Sequence, residues 1–153
     1  YAQVANATSV VGEMNNEASI AAIEAGQTFF SVDDEGNVIL EYDINSRVHI
    51  DSETPQDIKK NRPLRVYDTF ANDLLITFRP GKFDNDDDGW AVVEGLGRSM
   101  LQNYADDGAL TNVNLDEDFL VDTGRSIGDS MYLNVGLQAV DSADKFYFSV
   151  IAR

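Results

Sequence analysis

Leu64-Arg65-Val66-Tyr67-Asp68-Thr69-Phe70 and Leu74-Leu75-Ile76-Thr77-Phe78 stand either side of Asn72-Asp73, with Pro80-Gly81 closing the second run. Read as two short strands joined by an Asx turn, they set the expectation for the whole chain. Upstream, Thr28-Phe29-Phe30-Ser31-Val32 stops at Asp33-Asp34-Glu35-Gly36-Asn37 and resumes as Val38-Ile39-Leu40-Glu41-Tyr42. That is a hairpin, with Gly36 and Asn37 placed for the left-handed backbone such turns use. Arg47-Val48-His49-Ile50 alternates as a strand does, and Ser52 to Pro63 is polar and loop-like.

Downstream, Asp84 to Thr123 is the least regular stretch. It carries the acidic turn clusters Asp84 to Gly89 and Asp106-Asp107-Gly108 around a helical turn at Ser99 to Tyr104. Order returns with Met131-Tyr132-Leu133-Asn134-Val135-Gly136-Leu137. The chain closes on Phe146-Tyr147-Phe148-Ser149-Val150-Ile151, apolar on both faces as in a central strand. Seven to nine short strands at roughly ten-residue spacing predict an all-β fold: one jelly-roll-like sandwich over 12–153, with an irregular acidic insertion around 84–114.

With 153 residues the chain is of single-domain size, and folding at this length buries about 70% of the unfolded surface. The absence of Cys excludes disulfides, Cys-based zinc sites and thiol catalysis. Twenty-seven Asp and Glu against 11 Lys and Arg give a formal charge of −16, which disfavours nucleic acid and anionic membranes as partners. No apolar run approaches the ~20 residues that span a bilayer, so no membrane insertion is expected. At 43% hydrophobic and 10% aromatic residues, the acid covers a folded surface rather than a disordered tail. Asp over Glu and Arg over Lys point to a salt-loving, archaeal source, where a Debye length of about 3 Å at 1 M silences carboxylate repulsion. A start at Tyr1 reads as a mature secreted product, and Asn6-Ala7-Thr8 is a glycosylation sequon on Asn6.

Chemistry finds few footholds. His49 is the only imidazole and lacks a nucleophile motif to serve, so it reads as structural and no enzymatic role is expected. Asp84-Asn85-Asp86-Asp87-Asp88-Gly89 presents oxygens at alternate positions before a Gly, a spacing that suits Ca2+ with Asp84, Asp86 and Asp88 as ligands. The acid of a helix-loop-helix calcium site falls at the wrong place, since Gly95 occupies it. The competing reading is an acidic turn in solvent. At the N-terminus, residues 1–11 carry no charge, and Ala2, Val4, Thr8 and Val10 share one face at the two-residue period. This segment is either the first strand of its own sandwich or a donor strand given to a neighbouring subunit.

Three groups of residues carry a resemblance. The Val-rich lead is followed by Asn15-Asn16-Glu17-Ala18-Ser19-Ile20-Ala21-Ala22-Ile23-Glu24-Ala25-Gly26 and the acidic hairpin; Tyr67-Asp68-Thr69-Phe70 and Ser126 to Leu137 come later. In this order the chain resembles archaeal secreted proteins of the TasA and camelysin group, with Asp84 to Asn114 as an insertion. The resemblance implies an extracellular, cell-surface filament subunit of the pilus or biofilm-fibre kind, homopolymerised by donor-strand complementation. Phe146 and Phe148 would line the acceptor groove. Two alternatives stand beside it. One is a virion or appendage shell protein; the other is a calcium-dependent surface-binding module with Trp90, Tyr104 and Tyr132 as contact aromatics.

Overall fold

The computed structural model describes residues 2–49, 56–144 and 146–151. Among them are three α-helices, α1 (Asn16–Glu24), α2 (Asn61–Thr77) and α3 (Asp87–Asp106), and four strands, β1 (Phe30–Val32), β2 (Val38–Leu40), β3 (Phe119–Val121) and β4 (Leu133–Val135). The all-β jelly-roll sandwich is therefore corrected to a mixed fold in which helices carry the core and each strand has three residues. The chain divides into two compact units, Tyr1–Arg65 and Val66–Arg153.

In the first unit the hairpin forms as its turn chemistry requires. β1 and β2 pair antiparallel with Ser31 opposite Ile39, and Gly36 takes φ +83° in the turn. Asn37 does not adopt a positive φ; instead its backbone N–H donates to the Asp33 carboxylate at 2.8 Å. Residues 2–4 add to the other edge of β2, through Val4 N–H to the Val38 carbonyl (2.8 Å) and Leu40 N–H to the Ala2 carbonyl (2.9 Å). Asn15 caps α1 by accepting from Ala18 N–H at 2.9 Å. Further on, Asn61 N–H donates to the Asp43 carbonyl, and Asp43 accepts from the Asn61 amide and pairs with Arg65. The Asn61 amide, with Arg65 beside it, holds the Asp43 carboxyl below its ordinary range.

The runs expected as two strands are one 17-residue helix. Val66, Phe70, Leu74 and Phe78 recur every fourth residue, and all four belong to the core of the second unit. Such spacing puts them on one helical face, whereas period-2 alternation is absent. Pro63 lies in the first turn of α2, where a missing N–H costs nothing. The helix stops just before Arg79-Pro80-Gly81, so the dipeptide expected to close a strand instead follows the end of a helix.

The stretch expected to be irregular is mostly α3, 20 residues long. Asp86 is its N-cap, accepting from Gly89 N–H at 2.8 Å, and Asp87 and Asp88 lie in the first turn where the helix dipole favours carboxylates. Val93, Gly97 and Leu101 are its buried face. Phe119 of β3, fully buried, lies directly on Gly97: a Cβ there would sit 2.1 Å from the ring. Glu94, one turn earlier, accepts the Val121 N–H at 2.9 Å and so ties the outer edge of β3 to the helix. β4 pairs with β3, Leu120 opposite Asn134, and beyond this pair Leu110 forms an isolated antiparallel bridge with Ala139. The α2 and α3 faces meet at Phe70 and Tyr104, whose rings stand edge to face at 5.1 Å. The Tyr104 hydroxyl donates to Asp73 at 2.6 Å, so the expected Asn72-Asp73 turn is instead a helical hydrogen-bonding position.

Two stability predictions follow from these contacts. Gly97→Ala should destabilise the fold by about 1–3 kcal/mol through overpacking against Phe119. Gly95→Ala, with nothing within 4 Å of the added methyl, should gain up to about 1 kcal/mol of helix propensity. Urea melts of the two variants check the opposite signs. Burial, then the bond to Asp73, pushes the Tyr104 hydroxyl up from 10.0 to about 12. The folded protein holds that proton where the unfolded chain releases it. The stability this contributes is complete below pH 10.0 and is lost as pH rises through about 12. Urea melts across that window should show a shallower decline for Tyr104→Phe than for the parent.

Candidate functional site

Most apolar side chains outside the core are scattered, as on any protein surface. Two places differ. At the C-terminal end, Phe146, Tyr147, Phe148, Val150 and Ile151 are 70–92% exposed, and no charged residue interrupts them. Phe146 and Phe148 stack on each other, with ring centroids 6.4 Å apart, and among the described residues no hydrogen bond ties 146–151 to the rest of the second unit. The expected central strand is corrected accordingly: its residues are solvent-facing and outside any sheet. So continuous an apolar surface is what contact with another macromolecule covers.

The other place is the turn between β3 and β4. Arg125 lies over the Tyr132 ring, 4.2 Å from its centroid, and Ile127 between them in sequence is 73% exposed. The turn is held from beneath. Buried Ser126 accepts the Tyr132 N–H on its hydroxyl at 3.0 Å, and Ser126 N–H donates to the Asp122 carbonyl at 2.9 Å. The Asn85 amide donates to the carbonyls of Gly128 (3.0 Å) and Ser130 (3.1 Å), while its oxygen accepts the Trp90 indole N–H at 2.6 Å.

Asn85 thus explains much of the acidic motif. Gly89 is required because the Asp84 carbonyl would lie 2.0 Å from any Cβ, and Asp86 is used as a helix cap. Asp84 and Asp88 are exposed, and among the described residues no group of three or more His, Cys, Asp or Glu is placed to hold a metal ion. Of the expected donor-strand residues, Ala2 and Val4 bond through their backbones to β2 of the same chain, while Thr8 is exposed and Val10 half-buried, both outside any strand. Asn6 is exposed in a turn at φ +64°. His49, expected inside a strand, is exposed and not part of one. Of the three contact aromatics, Trp90 and Tyr104 pack against the core, and only Tyr132 faces solvent. Arg125 drew no notice in the sequence, and Ile127 was read only as part of a turn before a strand. Their signal was there: Arg125 is the only Lys or Arg between residues 99 and 144, a span with nine Asp and Glu.

Comparison with known proteins gives a consistent result. Residues 53–153 match the family described as the phage tail sheath C-terminal domain. Over 160 residues the chain is 28% identical to the phage-like element PBSX protein XkdK of Bacillus subtilis and 26% identical to YqbK of the same species, covering 98% of this chain and 34% of each relative. It therefore spans about a third of the length of these curated relatives. Among solved structures it is similar to the sheath tail protein of Desulfitobacterium hafniense (TM-score 0.82, 25% identity, 94% of this chain and 34% of that one). The sheath tail protein of Listeria innocua shares the fold (TM-score 0.80, 24% identity, 95% and 35%).

These findings correct the resemblance to the TasA and camelysin group. The archaeal, halophilic reading falls with it, since the relatives are bacterial. So does the secreted, cell-surface reading, since the relatives are proteins of phage-like particles. The cause is instructive: an acidic composition and a Val-rich lead are shared by many unrelated chains.

The single Trp reports on the β3–β4 turn. Asn85→Ala removes the acceptor of the Trp90 indole and frees two carbonyls, which should cost about 1–3 kcal/mol. A change in Trp fluorescence together with faster amide exchange at 126–132 is the expected result.

Proposed function

This chain belongs to the phage tail sheath C-terminal domain family, and we propose that it is a structural subunit of a sheath-like shell assembled from copies of itself. Its role is structural rather than enzymatic. Of the readings open from the sequence, the virion or appendage shell protein is the one this membership supports. The donor-strand pilus is set aside. The self-assembling whole would be longer than this chain, which covers 34% of its curated relatives.

The observation that carries the proposal is the C-terminal segment. Each large apolar side chain gains roughly 1.5–3 kcal/mol when it moves from water to a packed interface. Phe146, Tyr147, Phe148, Val150 and Ile151 collect little of that within the chain. On a chain of formal charge −16, a stretch without charge is also where a second copy can approach without carboxylate repulsion. A contact between this segment and a different surface of the next copy is heterologous, and such a contact propagates as an open helical array. Repeated around an axis, it produces a tube rather than a closed dimer.

Truncation after Asp144 in the otherwise full-length protein tests this. Sedimentation velocity should show the truncated form as monomers under conditions where the parent assembles, with an unchanged circular dichroism spectrum. Assembly at the parent's concentration would contradict the proposed contact.

A further inference from the structure

We propose that the β3–β4 turn is a second docking element, with Arg125, Ile127 and Tyr132 as its contact residues and an acidic surface of another copy of this chain as its occupant. The inference rests on the self-assembly reading above and adds the partner chemistry of a separate surface.

Charge is the first argument. Arg125 is exposed, and among the described residues its guanidinium faces the Tyr132 ring rather than a carboxylate. The acids nearest in sequence are otherwise engaged: Asp122 accepts the Arg125 backbone N–H at 3.2 Å, and Asp129 accepts the Ser130 hydroxyl at 3.1 Å. A lone cation in a span of nine carboxylates finds its complement on a neighbour, and a second copy is itself strongly acidic. An Arg already stacked on an aromatic ring also gives up little freedom when a carboxylate meets its free edge.

Rigidity is the second argument. Exposed turns are commonly loose, yet this one is fastened by Asn85 to two carbonyls and by Ser126 to Tyr132. Those bonds hold Ile127 outward at 73% exposure, where its own fold leaves most of its side chain uncovered. An apolar side chain fixed beside an Arg and a Tyr has the composition and the preorganisation of an interface anchor.

Arg125→Glu and Ile127→Asp in the full-length protein, compared by light scattering over a concentration series, test the proposal. Each variant should keep the parent's thermal melt and require about tenfold or more protein to assemble. Should the charge reversal unfold the chain, Arg125→Gln removes the cation alone and should still raise the required concentration severalfold. If the parent assembles and the folded variants assemble at the same concentration, this docking element is refuted while the sheath reading stands. If the parent stays monomeric throughout, both are refuted.

Discussion

Phe119 lying on Gly97 is the contact on which the second unit depends. A Gly in mid-helix costs about 1 kcal/mol against Ala, so α3 must recover that elsewhere. It does so by letting β3 approach until the aromatic ring occupies the space a side chain would fill. Phe119 burial, worth roughly 1.5–3 kcal/mol, outweighs the cost. The consequences run outward from there. β3 lies close enough for Glu94 to accept the Val121 N–H, β4 pairs with β3 in register, and the turn joining them projects from a supported base. Phe78, 5.7 Å from Phe119, links α2 to the same point.

The legible parts of the fold were those encoded by local chemistry. The hairpin at 28–42 and the strand within 131–137 each rest on residues a few positions apart. The illegible parts were those where a short window admits two periods. Leu64 to Phe70 and Leu74 to Phe78 are rich in β-branched and aromatic residues, which raises strand propensity, but their apolar positions recur at four and not at two. Asp84 to Gly89 was ambiguous for a different reason. A run of Asp before a Gly suits a calcium loop and a capped helix start equally well, and only the apolar spacing of Trp90, Val93, Gly97 and Leu101 separates them.

The surface was legible in one respect. The segment at 146–151 stood out as apolar and uncharged, although it was assigned to a sheet centre; the structure leaves it outside the sheets. Hydrophobicity alone does not say whether a run is buried in its own fold or against another chain. Arg125 escaped notice because a single cation has no motif. Its meaning comes from the Tyr132 face it lies over in space and from the acidic span of sequence it interrupts.

A structural subunit of a sheath should build its assembly from itself. Electron microscopy of the purified full-length protein, across a concentration and salt series, tests this most directly. The account predicts tubes of regular width with helical order. Isolated monomers under every condition, or closed dimers that never extend, would contradict it.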